Sequence, residues 1–138
     1  MKNFILVILL GASFGLFSQS PVGKWNTYDD ETGENKSVIQ IYKVGNKLYG
    51  KVLIIHNKEK ASKTCELCSD DRKKKPVLGM IIIKKLAKDG KEWSDGEILD
   101  PENGKTYDCT IWLEGDDVLK VRGYIGWFYR TQTWKRLK

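Results

Sequence analysis

The chain has 138 residues, with 24 lysines and arginines against 18 acids, a formal net charge of +6 and 41% hydrophobic residues. That length sets an expectation of one domain whose core can bury enough surface to fold without a metal. Apart from one run at Lys73, Lys74 and Lys75, the cations are scattered beside acids as on a solvated surface, which argues against nucleic acid as a partner.

Lys2 precedes an apolar run from Phe4 to Phe17 that is interrupted by Gly11, Ser13 and Gly15, and Ser18, Gln19 and Ser20 follow. The run is too short to span a bilayer, and a basic start, an apolar stretch and a small-residue exit match a secretory signal. The expectation is a signal peptide over residues 1–18, cleaved after Ser18, and a single domain over 19–138. The mature chain would then be exported, periplasmic or secreted, with no transmembrane anchor after cleavage.

Gly23 to Tyr28 reads as a first strand, followed by a polar turn centred on Thr32 and Gly33. Ser37 to Val44 and Lys47 to Ile55 alternate apolar and polar residues around the short turn at Gly45 and Asn46, as a hairpin requires. Gly50 inside the third strand marks a bulge or bend. After a long irregular stretch from His56 to Pro76, the β-branched run from Val77 to Leu86 predicts a fourth strand. Glu92 to Leu99 predicts a fifth, bent at Asp95 and Gly96.

The last third is a meander. Tyr107, Cys109, Ile111 and Leu113 alternate with polar residues and Trp112; Leu119, Val121 and Gly123 alternate with Lys120, Arg122 and Tyr124. A final run spans Phe128 to Trp134. The fold class is therefore all-β: about eight antiparallel strands closing into an up-and-down barrel, with a flat sandwich as the other arrangement. Such a barrel is either filled by side chains or just wide enough for one small ligand.

Cys65 and Cys68 are close enough in sequence to form a disulfide in an oxidising compartment, and Cys109 sits on the apolar side of its strand as a small buried hydrophobe. A redox pair needs a following helix, and the polar run ending at Pro76 does not offer one. His56, Asp70 and Asp71 could join the cysteines around zinc, but one such pair without a second is a weak signal, and no metal or other cofactor is assigned. Asp29, Asp30, Asp100, Asp108, Asp116 and Asp117 offer carboxylates for hydrolysis, although aspartates in turns usually bond their own backbone. No catalytic residue is assigned.

Trp112, Arg122, Tyr124, Trp127 and Arg130, with Asp100, form the candidate ligand-binding set. They could line the barrel mouth and hold a small anionic or apolar ligand. The same residues could instead form a ladder of cross-strand pairs on the outer wall.

Gly23-Lys24-Trp25 on the first strand, with Arg130 and Arg136 on the last, resembles the calycin pattern of lipocalins and their relatives. That resemblance implies that Trp25 closes one end of the barrel beneath a basic side chain such as Arg136. A wider set resembles the bacterial exported family designated domain of unknown function 2147. It comprises Gly23 to Trp25 with Asp29 and Asp30, Tyr49 to Lys51, the Cys65/Cys68 pair, Pro76 to Gly79, Ile98 to Lys105, Val121 to Gly126 and Arg130 to Trp134. The resemblance implies an exported calycin-like, lipocalin-like barrel and leaves its activity open. The functional expectation is a binding or envelope-associated module without catalysis. The alternatives are an interaction module using the lysine-rich 56–76 loop, or a hydrolase using paired aspartates.

Overall fold

The computed structural model describes residues 19–138, so the expected signal peptide at 1–18 lies outside the described residues. Eight strands follow in chain order: β1 (Gly23–Tyr28), β2 (Asn35–Val44), β3 (Lys47–Ile55), β4 (Ile81–Asp89), β5 (Glu92–Asp100), β6 (Lys105–Leu113), β7 (Val118–Ile125) and β8 (Phe128–Arg136). Each pairs antiparallel with the next, and β8 returns to β1 to close the barrel. The described residues contain no helix, and so none long and apolar enough to cross a membrane.

The period-two pattern decides which side chains point inward. Trp25, Ile39, Ile41, Leu48, Ile83, Leu86, Ile111, Leu119 and Trp134 are buried and pack as one core along the barrel. Cys109 lies in the same core as a free thiol, and burial pushes it up to about 12, so it stays neutral and unreactive. Among the described residues no buried side-chain polar atom lacks a hydrogen-bond partner. The interior is a filled core that holds the walls apart.

Antiparallel order gives the barrel two unlike ends. The short turns after β2, β4 and β6 gather at one end with the start of β1. There Trp25 is fully buried, and its Nε1 donates to the Pro21 carbonyl at 2.8 Å. The Arg136 guanidinium lies 4.3 Å from the centroid of the Trp25 ring. It also donates to the carbonyls of Asp116 at 2.8 Å, Ser20 at 3.0 Å and Val22 at 3.2 Å. A Cβ on Gly23 would stand 2.6 Å from the Arg136 Nη1 and push the guanidinium off this cap, and the φ of 143° is one that other residues rarely adopt.

The other end is the rim, built from the 29–34 turn, the 56–80 loop, the 101–104 turn and the β7–β8 turn at Gly126 and Trp127. The long loop is tied down. Cys65 and Cys68 form a disulfide and are buried. A small hairpin joins Thr64 to Pro76, with the Cys65 and Lys74 amides donating at 2.8 Å to the carbonyls of Lys75 and Cys65. Arg72 is buried and forks onto Asp70, with Nη2 at 2.6 Å and Nε at 3.0 Å from Oδ2, while Nη1 donates to the Ile81 carbonyl at 2.9 Å.

The expected strand from Val77 to Leu86 is shifted: β4 begins at Ile81. Val77 to Met80 forms a turn instead, with the Met80 amide donating to the Val77 carbonyl at 3.0 Å and the Gly79 amide to the Val52 carbonyl at 2.7 Å. Apolarity here reflects docking of the loop on β3, which an apolar run cannot distinguish from a strand. The anticipated bends at Gly50 and at Asp95 and Gly96 coincide with register shifts.

Asp70 gives the loop a pH signature. Its carboxyl is held down at about 2, against 3.8 ordinarily, first by the Arg72 side-chain hydrogen bonds and then by the Arg72 backbone N–H. Because the folded value lies below the unfolded one, the stabilisation is complete above pH 3.8 and is lost as pH falls through about 2. Acid titration of wild type beside Asp70→Asn should show a constant stability gap above that range, closing toward pH 2. A gap that does not depend on pH would contradict this.

Candidate functional site

The meander divides the candidate residues between two faces. On β7 and β8 the pairs Leu119 with Trp134, Val121 with Gln132 and Gly123 with Arg130 share the inward parity. Lys120 with Thr133, Arg122 with Thr131 and Tyr124 with Tyr129 face outward, and Trp112 joins them by pairing with Lys120. Arg122 lies 4.8 Å from the Trp112 centroid and 4.1 Å from that of Tyr129, and its Nε donates to the Thr131 hydroxyl at 2.9 Å. A guanidinium between two rings is worth about 0.5–1 kcal/mol at an exposed site. Trp112, Arg122 and Tyr124 thus belong to an outer-wall ladder that approaches the rim.

Arg130 stands on the inward parity at the rim, 3.7 Å from an Asp30 carboxylate oxygen. Gln132 donates to the same carboxylate at 3.3 Å and accepts from the Trp134 indole at 3.1 Å. Asp100 belongs to the turn below: its side chain accepts from the Glu102 amide at 2.9 Å and its carbonyl from the Gly104 amide at 2.8 Å. Asp29 does the same in its own turn, and the amides of Thr32 and Glu31 hold its carboxyl below the usual range. Asp117 pairs with Arg136 and Lys138 at the opposite end. Of the aspartates weighed for hydrolysis, Asp29 and Asp30 share one turn, Asp116 and Asp117 share another at the opposite end, Asp100 ends β5 and Asp108 lies within β6.

Trp127 occupies the tip of the β7–β8 turn and is 99% exposed, with Phe128 at 77% and Tyr129 at 60%. Ile125 beside them is also exposed. Reading from the sequence singled out Trp127 and Gln132 for binding and weighed Asp30 as a carboxylate, but passed over Phe128 and Tyr129. The available signal was the aromatic run flanking a two-residue turn, where no neighbouring strand can cover the rings.

Two shallow grooves lie away from these residues. One groove of about 410 Å³ runs between the loop and β4, lined by Arg72, Lys75, Leu78, Met80 and Lys84 among others. Another, of about 330 Å³, follows the bend of β4 and β5 past Lys85, Asp95 and Glu97. Among the described residues no three His, Cys, Asp or Glu side chains gather as a metal site.

A family model described as "Uncharacterized protein conserved in bacteria (DUF2147)" matches residues 23–136. The chain belongs to this family. Among solved structures it is similar to one titled "Protein HP1028 from the human pathogen Helicobacter pylori belongs to the lipocalin family", with a TM-score of 0.75 and 20% identity over 86% of this chain and 84% of that one. At such identity the likeness shows the fold, a lipocalin-like barrel. No curated protein sequence matches the chain. In this DUF2147 barrel the most exposed aromatic side chains, Trp127, Phe128 and Tyr129, stand at the rim above a packed core.

Proposed function

We propose that the chain is an exported, non-catalytic binding module that meets its target at the rim, with the filled barrel as a rigid support. The observation that carries this reading is the exposed aromatic run Trp127, Phe128 and Tyr129 at the β7–β8 turn, which leads directly into the Arg130 and Gln132 pairs with Asp30. Contiguous exposed aromatics bordered by polar groups mark interaction sites, because their burial releases water from a large apolar area. Export is supported by the signal-like pattern of residues 1–18 and by the Cys65–Cys68 disulfide, a bond that persists in oxidising compartments. A small anionic or apolar ligand would be seated shallowly, its apolar part against the rings and its charge on Arg130.

A melting-temperature screen of lipids, peptides and sugars tests this with the double variant Trp127→Ser/Phe128→Ser. Both side chains are exposed, so the variant should fold with nearly wild-type stability. A ligand at 100 times its dissociation constant should stabilise wild type by about 2.7 kcal/mol and leave the variant unshifted. Equal shifts in both proteins would place binding away from the rim.

A further inference from the structure

The barrel closes unevenly. β7 and β8 pair over eight residues, from Val118 with Lys135 to Ile125 with Phe128, whereas β1 and β8 pair only through Trp25 with Arg136 and Asn26 with Lys135. β1 ends at Tyr28 after a register shift against β2, and the chain then turns away. Phe128 to Thr133 therefore has no β1 partner, and the seam stands open from Lys135 to the rim. Three side-chain contacts cross it there, from Arg130 and Gln132 to Asp30 and from the Lys135 ammonium to the Tyr28 ring, 5.7 Å from its centroid.

Backbone hydrogen bonds in an antiparallel strand alternate in direction. The Leu137 amide donates to the Lys24 carbonyl, and Asn26 pairs with Lys135, so odd-numbered residues of β8 turn their N–H and C=O toward β1. Tyr129, Thr131 and Thr133 continue that row beyond the last pair. The row holds no proline, lysine or bulge, the usual means of blunting an edge, and the Arg130 charge is answered by Asp30.

We propose that the open edge of β8 accepts an added β-strand, and that the occupant is an extended polypeptide segment bearing lysine or arginine beside apolar residues. The inference rests on the rim as the binding face. Only a peptide main chain offers donors and acceptors at the spacing of this row, and six residues suit a strand of ordinary length. The exposed rings of Phe128 and Tyr129 flank the row and select apolar side chains. In the adjoining turn Asp30 answers Arg130 and Asp29 its own turn amides, while the exposed Glu31 and Glu34 carry no ion pair among the described residues and select a cationic flank. The same carboxylates disfavour a second copy, whose acidic turn would approach this one edge to edge.

The test uses the protein purified from its host and a library of eight-residue peptides, with lysine at both ends and alternating valine, tyrosine and threonine between. A binder should slow amide exchange at Tyr129, Thr131 and Thr133 by about tenfold or more, and N-methylation of its alternate backbone nitrogens should weaken it about tenfold. Thr131→Pro removes the central donor and should weaken binding about tenfold. Equal binding of the N-methylated peptide overturns strand addition and leaves rim binding intact. So does a library without binders when Trp127→Ser/Phe128→Ser abolishes capture of a lipid or small ligand. Protection of the three amides that grows with protein concentration alone would make a second copy the occupant and overturn the partner assigned here. Binding indifferent to the rim variant overturns both readings.

Discussion

Trp25→Ala should lower stability by about 3–5 kcal/mol, the range for removing a fully buried large aromatic. The indole is enclosed by the core, donates to the Pro21 carbonyl and supports the Arg136 guanidinium. Its loss leaves a cavity at the closed end and an accepting carbonyl without its donor. It also removes the platform on which Arg136 ties the β6–β7 turn to the residues before β1. Since β1 meets β8 over two residue pairs beside this cap, the seam should open further in the variant. Denaturant titration gives the energy, and amide exchange at Asn26 and Lys135 reports the seam. A loss below about 1 kcal/mol, with those amides still protected, would mean that the barrel is closed by something other than the Trp25 and Arg136 stack.

Gly104→Ala should be nearly as damaging, and locally so. Gly104 has φ 71°, a left-handed conformation that costs other residues about 1–2 kcal/mol. A Cβ there would overlap the Leu67 carbonyl and stand 2.7 Å from the Cys68 amide nitrogen. Both are backbone atoms beside a disulfide, so they cannot swing aside as a flexible side chain would. The cysteine turn must lift from the β5–β6 turn, exposing Cys65 and Cys68. Overpacking adds about 1–3 kcal/mol, for a total loss of about 2–5 kcal/mol. Limited proteolysis should then cut among Lys60, Lys63 and Lys73 to Lys75 before the barrel unfolds. A wild-type cleavage pattern would contradict this docking.

Much of the fold was legible because a half-buried strand writes period two into the chain. Leu119 and Val121 against Lys120 and Arg122 is such a record, and it also told the two faces of β7 apart. That Gly23 and Trp25 mark a barrel end was carried by resemblance; the physical reason is the close approach of Arg136 to Gly23. Val77 to Met80 misled because docking a loop on a sheet demands the same apolar residues as a buried strand.

The rim was harder to read. Whether Arg122 or Arg130 reaches the mouth depends on register across β7 and β8, and the two differ by an even number of residues on neighbouring strands. Asp30 and Gln132 meet across 102 positions of sequence, and nothing local announces that contact. The open seam is less visible still. It follows from where β1 stops, and strand ends are set by competition between turn formation and ladder hydrogen bonds, which composition does not resolve.

Native mass spectrometry of the protein purified from its host, wild type beside Trp127→Ser/Phe128→Ser, tests the rim most directly. The predicted result is a stoichiometric non-covalent adduct or partner on wild type that is absent from the variant, each chain weighing two hydrogens less than its reduced mass. An adduct kept by the variant, or bare protein in both samples, would contradict binding at the rim.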